Sequence, residues 1–169
     1  MRFFAALLAA VATTLALGAC GERHAEKHAA SPTPVASACT AKIPVQLLPT
    51  WARTGFSDPK PHMPFVLGAR GRIGAIVWGN PLLAPPAKDR SNKILWVSHA
   101  PFKPGGGDLT ISAQRFEGGR AVGSPLARSV IGGPGPSLID LPAGCWHLTL
   151  SWWGHTDAMD LEYSPAGKT

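Results

Sequence analysis

The chain has 169 residues, of which 19 are Gly and 17 Pro, and its 16 Lys and Arg exceed its 10 Asp and Glu for a net charge of +6. So many turn formers and helix breakers leave almost no stretch in which a helix of about ten residues could form, which excludes the helical classes. The basic excess is spread along the chain without a run, so its default reading is a solvated surface of scattered charge.

Arg2 opens the chain with a positive charge, and Phe3 to Leu17 (FFAALLAAVATTLAL), 15 residues, contains neither a charge nor a proline. A bilayer-spanning helix needs roughly 20 apolar residues, so this run reads as the core of an export signal and not as a transmembrane anchor. Leu17-Gly18-Ala19-Cys20 follows it directly and resembles the lipobox of bacterial prolipoproteins. The resemblance implies cleavage after Ala19, a signal peptide over residues 1–19, and palmitate-type acylation of Cys20, which becomes the mature N-terminus. One myristoyl-length chain holds a protein only marginally, whereas two or three anchor it stably. With Gly21 and not Asp after the cysteine, the resemblance further implies the outer membrane, facing the periplasm, in a Gram-negative host. That address excludes nucleic acid as a partner. It leaves anionic lipid headgroups, acidic envelope polymers or an envelope protein as what a basic surface could meet.

Residues 21–38 (GERHAEKHAASPTPVASA) are small, polar or charged and include two prolines. They have nothing to bury and read as a flexible tether over 20–38. His24 and His28 stand four apart, but two ligands on a tether make a weak metal site.

Cys39 to Thr169 is the right length for one domain. It carries 13 Lys and Arg against 8 Asp and Glu, a net of +5. Once Cys20 is acylated, Cys39 and Cys145 remain as an even pair in an exported chain. That predicts a disulfide fixing the start of the domain to a late strand. No C-x-x-C spacing supports redox or metal chemistry instead.

Short Val-, Ile-, Leu-, Trp- and Thr-rich segments bounded by turn residues predict strands at Val45–Leu48, Pro64–Leu67, Ile73–Trp78, Ile94–His99, Leu109–Phe116, Leu126–Ile131, Ser137–Leu141, Cys145–Trp153 and Ala158–Ser164. Strands at this spacing predict an all-β fold, a two-sheet antiparallel sandwich of the immunoglobulin-like kind. In the last hairpin a turn at Gly154-His155-Thr156-Asp157 would oppose Trp152 to Met159 and Leu150 to Leu161. Directly opposed residues share a face. One face then collects Trp146, Leu148, Leu150, Trp152, Met159, Leu161 and Tyr163, and the other His147, Thr149, Ser151, Asp160 and Glu162. A slip by one residue would set Leu150 against Asp160, so the apolar pattern selects these faces.

Asn92-Lys93-Ile94-Leu95-Trp96-Val97, Pro136-Ser137-Leu138-Ile139-Asp140-Leu141-Pro142, and Gly144-Cys145-Trp146-His147-Leu148-Thr149-Leu150-Ser151-Trp152 with Asp160-Leu161-Glu162-Tyr163 resemble a group of uncharacterised exported bacterial proteins. The likeness runs over roughly Ile73 to Tyr163 and implies a small extracytoplasmic β-domain without pointing to a reaction.

The chain contains no G-x-S-x-G nucleophile elbow and no phosphate loop, and nothing in it calls for a cofactor. His147 could meet Asp160 or Glu162 across the sheet, with Ser151 or Thr149 as a hydroxyl partner, but a flat sheet surface lacks the enclosure catalysis needs. His62 and Met63, with Met159 and His155 elsewhere, are soft enough for copper, yet Pro-His-Met-Pro is no metal-site spacing. Of the six tryptophans, Trp78, Trp96, Trp146 and Trp152 are expected in the core. Trp153 must point opposite to Trp152, beside the His155 turn, where a loop covers it or a ligand meets it. Trp153, Trp51 and His155 are therefore the candidate binding residues. The expected role is binding or structural, with a small envelope hydrolase and a copper carrier as alternatives.

Overall fold

The computed structural model describes Cys39 and residues 42–167. The expected signal peptide, the expected lipidation site Cys20 and the expected tether with His24 and His28 lie outside these residues.

Among the described residues no α-helix forms. Ten strands do: β1 (Val45–Leu47), β2 (His62–Leu67), β3 (Ile73–Val77), β4 (Leu82–Ala84), β5 (Lys93–Ser98), β6 (Leu109–Glu117), β7 (Arg120–Val130), β8 (Pro136–Leu138), β9 (Gly144–Trp152) and β10 (His155–Pro165), with one 3-10 turn at Thr50–Ala52. They build two five-stranded sheets, ordered β1-β2-β3-β5-β8 and β4-β10-β9-β6-β7. The sheets pack face to face as a sandwich. Ile73, Ala75, Val77, Ile94 and Trp96 of the first meet Ile111, Leu148, Leu150, Trp152, Leu161 and Tyr163 of the second in one buried cluster. Every strand pairing is antiparallel except β4 with β10, which is parallel. This strand order defines a two-sheet sandwich and does not by itself assign the immunoglobulin topology.

Several elements differ from the sequence expectation: β4 is additional, β7 and β10 begin earlier, and β8 ends at Leu138 and not at Leu141. Leu82–Ala84 is only three residues long and is flanked by Pro81 and Pro85, too short for an alternation to show. β7 begins six residues earlier than Leu126, because Gly123 and Pro125 mask its first half. There the β6–β7 pairing shifts between Ala113 and Arg115. The freed carbonyls are met by Gln114, whose amide nitrogen donates to the oxygens of Val122 at 2.9 Å and Gly123 at 3.3 Å. A proline in an edge strand also deters pairing with a second chain.

The β9–β10 hairpin is closed by two residues, Trp153 and Gly154, at φ 47° and 84°, and not by the expected four-residue turn. Trp152 consequently pairs with His155, Leu150 with Asp157, Leu148 with Met159 and Trp146 with Leu161. The partner of Trp152 moves by four residues, and an even shift leaves every side chain on its expected face. Trp146, Leu148, Leu150, Trp152, Met159, Leu161 and Tyr163 are all buried. Thr149 is exposed, and His147, Ser151, Asp160 and Glu162 are half-buried on the outer face.

Polar groups in the core are matched, as burial requires. The indole N–H of Trp96 donates to Ser137 Oγ at 2.9 Å, that of Trp152 to Ser98 Oγ at 2.9 Å, and that of Trp146 to the Pro142 carbonyl at 2.7 Å. Buried Asn92 accepts the Leu83 N–H and donates to the Leu83 carbonyl and to Asp140 Oδ1, joining β4 of one sheet to the start of β5 in the other.

The Tyr163 hydroxyl donates to the Ile139 carbonyl at 2.6 Å. Burial, helped by the nearby Asp140 carboxylate and opposed by Arg128, pushes this phenol well above the ordinary tyrosine value. The native state therefore holds the proton more tightly than the unfolded chain. Its contribution is complete below pH ~10 and is lost above it, by about 1.4 kcal/mol per pH unit until the native phenol ionises. Tyr163 is the one tyrosine in the chain, so an alkaline titration reads it alone. Phenolate absorbance is expected to rise together with loss of the near-ultraviolet circular dichroism. Phenolate forming ahead of unfolding would contradict the burial.

Candidate functional site

The strand directions collect four connections at one end of the sandwich: residues 68–72 between β2 and β3, 99–108 between β5 and β6, 131–135 between β7 and β8, and the Trp153-Gly154 turn. The three candidate binding residues, Trp153, Trp51 and His155, all come to this loop end.

Its frame is Asp157. This carboxylate, 3% exposed, accepts the N–H of Arg70 on Oδ1 and of Arg72 on Oδ2, each at 2.9 Å, as well as the N–H of Ala158. Beside it the Ala69 N–H donates to the Ala158 carbonyl at 2.7 Å. The β2–β3 turn of one sheet is thereby fastened to β10 of the other. A side chain at Gly68 would collide with the Asp157 carboxylate, which explains the glycine. Asp157 belongs to the strand and not, as expected, to the hairpin turn.

Arg72 and His99 stand opposite each other across β3 and β5, joined by a bond from the His99 N–H to the Arg72 carbonyl at 2.8 Å. The exposed His99 imidazole stacks on Trp51 with ring centres 5.0 Å apart and planes 14° from parallel. Trp51 lies over Gly74, where an added Cβ would stand in ordinary contact with the indole at 3.5 Å. From the second sheet His155, paired with the core-facing Trp152, lies against that indole at 5.8 Å. Arg72, His99, Ala100 and His155 together line an open groove of about 460 Å³ that no acidic side chain enters.

Trp153 lies next to this groove and is half-covered. Its ring sits on Gly106 and Gly133, where added side chains would overlap the indole. Its N–H donates to the Gly107 carbonyl at 3.2 Å, and Phe102 meets it edge-on at 5.4 Å. Phe102 and Ile131, on two of the covering loops, are 70% and 90% exposed. Trp153 has the one positive φ among described non-glycine residues, in a turn whose backbone favours Asn or Gly over a bulky side chain. Backbone strain of this kind costs on the order of 1–3 kcal/mol and collects at functional positions.

His147 Nδ1 and Asp160 Oδ1 are 2.7 Å apart. The pair lies on the outer face of the second sheet, at the end of two small-side-chain rows, Ser129-Thr110-Ser151-Thr156 and Ala127-Ser112-Thr149-Ala158. A shallow groove of about 440 Å³ over those rows is lined by hydroxyl side chains together with Ile111, Ala127 and Arg128, and His147 is not among its lining residues. Among the described residues no serine or threonine hydroxyl bonds the imidazole, and Glu162 stands one row further along, opposite Cys145.

The soft ligands are dispersed. His62 is exposed on β2, Met63 packs on the outer face of the first sheet, and Met159 is in the main core. Among the described residues no three His, Cys, Asp or Glu side chains converge.

Trp78 corrects one expectation. Ile73, Ala75 and Val77 take the inward positions of β3, so Trp78 is turned outward and is 49% exposed, stacked on Phe56 with the Lys93 ammonium 5.6 Å above its ring. Cys39 and Cys145 form the expected disulfide, Cα to Cα 5.7 Å, at the start of β9 and thus toward the end of the sandwich opposite the loops.

Arg72, His99, Phe102 and Ile131 were not singled out from the sequence. Each lies in or beside a loop, where no periodicity marks it. No family model matches the chain, and no curated protein or solved structure matches it either.

Proposed function

We propose that the protein is a lipid-anchored module of the cell envelope that binds a partner through its loop end and catalyses no reaction. The observation that carries this reading is Trp153, a large aromatic held in a left-handed turn position on a glycine cradle, beside exposed Phe102 and Ile131. An asparagine would suit that backbone better, so the indole is kept for what it touches.

The resemblance of Leu17-Gly18-Ala19-Cys20 to a lipobox supports the address: lipid on Cys20, and the outer membrane facing the periplasm where the host is Gram-negative. The likeness to exported bacterial β-domains agrees with it. Cys39 is tied to the second residue of β9, far from the loops, and lies 19 residues from Cys20 (39 − 20). The described domain is thus entered at the end opposite its loops.

A second reading, a small envelope hydrolase, draws on the 2.7 Å His147–Asp160 pair. It requires a nucleophile brought to an open sheet surface, and the loop-end reading requires no such addition.

Trp153→Asn separates recognition from folding, because Asn tolerates positive φ. Membrane-anchored native protein is expected to capture a partner from its own envelope that the Trp153→Asn protein, folded and equally abundant, fails to retain. Equal capture by both would contradict recognition through Trp153.

A further inference from the structure

We propose that the mouth of the sandwich between Arg72, His99 and His155 binds an oxyanion of the phosphate type. The inference rests on the loop end being the binding end and names the chemistry it recognises.

Four residues line this groove, three of them carry nitrogen donors, and none is acidic. The Asp157 carboxylate, two residues along β10 from His155, is already occupied by the backbone amides of Arg70, Arg72 and Ala158. The Arg70 guanidinium is turned to Thr156 Oγ1 at 3.1 Å, which leaves Arg72 as the arginine facing the groove. A guanidinium stays charged at any physiological pH and offers a planar fork of N–H groups suited to oxyanions.

The donors are also held in place. The Arg72 amide is pinned by Asp157, its carbonyl by the His99 N–H, the His99 ring by Trp51 and the His155 ring by Trp152. The two imidazole rings therefore have little freedom left to lose on binding, and the Arg72 guanidinium is carried on a fixed backbone. Donors arriving from both sheets suit a tetrahedral anion with three or four oxygens better than a two-oxygen carboxylate. The rim adds Lys103 and the exposed tips Phe102 and Ile131. Apolar tips beside an anion site fit a phospholipid headgroup, whose phosphate would occupy the groove while the tips enter the interface.

The test uses the full chain with Cys20→Ala, so that acyl chains do not mask binding, and follows backbone amide resonances during titration with inorganic phosphate at constant ionic strength. Saturable shifts centred on Arg72, His99, Ala100 and His155 are expected. Arg72→Ala, which keeps the backbone amide that Asp157 holds, should weaken them at least tenfold, whereas Arg120→Ala at the opposite end should not. Shifts spread over the whole basic surface, or unaltered by Arg72→Ala, would overturn the site.

Vesicles of phosphatidylglycerol and of phosphatidylcholine then distinguish the sources. Binding to the anionic vesicles that both Arg72→Ala and Phe102→Ser abolish assigns the phosphate to a lipid headgroup. Phosphate binding without vesicle binding assigns it to a free or polymer-borne group. If phosphate fails while Trp153→Asn still abolishes partner capture, the oxyanion site falls and the loop-end reading stands.

Discussion

Replacing Cys39 and Cys145 together by alanine is expected to lower the stability of the domain by about 4 to 5 kcal/mol. The two cysteines are 106 residues apart, and a cross-link closing a loop of roughly 100 residues removes about that much chain entropy from the unfolded state. The bond also sets where the chain joins the sandwich, on the outer side of β9, where Cys39 Sγ lies 3.8 Å from the Leu161 carbonyl. For a domain of this size the loss corresponds to a fall in Tm of roughly 12 to 18 °C. Denaturant unfolding of the native and doubly substituted proteins measures it. A loss below about 1 kcal/mol would mean that the segment from Cys39 to β1 is held by its packing alone.

Asp157→Ala is expected to cost about 3 kcal/mol, the next largest effect. Hydrogen bonds to a charged group contribute about 1.5–3 kcal/mol each, and their loss strands donors that have no other partner. Arg70 and Arg72 both donate backbone N–H groups to this carboxylate, which is 3% exposed. Asp157→Asn should cost about 2 kcal/mol, because its amide nitrogen would face one of those donors in place of an acceptor. Urea unfolding gives the energies, and hydrogen exchange at the Arg70 and Arg72 amides gives the location. If both amides remain protected in Asp157→Asn and the cost stays under about 1 kcal/mol, Asp157 is not what joins the β2–β3 turn to β10. Because Arg72 leads into the groove, a loosened turn should also weaken any ligand bound there.

The sandwich was largely legible in the sequence because its strands alternate strictly where they are buried on one side. β9 and β10 each carry apolar residues at every second position, and their faces survived an incorrect turn because the error was even. What periodicity does not encode was missed. β4 is three residues between prolines, and β7 is interrupted by Gly123 and Pro125. The Trp153-Gly154 turn was obscured because tryptophan is not a residue that turn chemistry predicts at positive φ. The candidate site was legible only as single residues. Trp153, Trp51 and His155 stood out by their chemistry, but Trp51 precedes His155 by more than a hundred positions, and only the register of β3 with β5 brings Arg72 and His99 between them. Trp78 was misplaced because Ile73–Val77 carries no polar residue to mark its outer face; with Ile73, Ala75 and Val77 inward, alternation puts Trp78 outside.

The intact mass of the mature protein isolated from membranes, with and without reduction, tests most directly the proposal that this sandwich is an oxidised, lipid-anchored envelope domain. The expected mass begins at Cys20, carries acyl chains there, and gains two hydrogens on reduction as Cys39 and Cys145 open. A mass without lipid would contradict the anchor, and one that reduction leaves unchanged would contradict the disulfide.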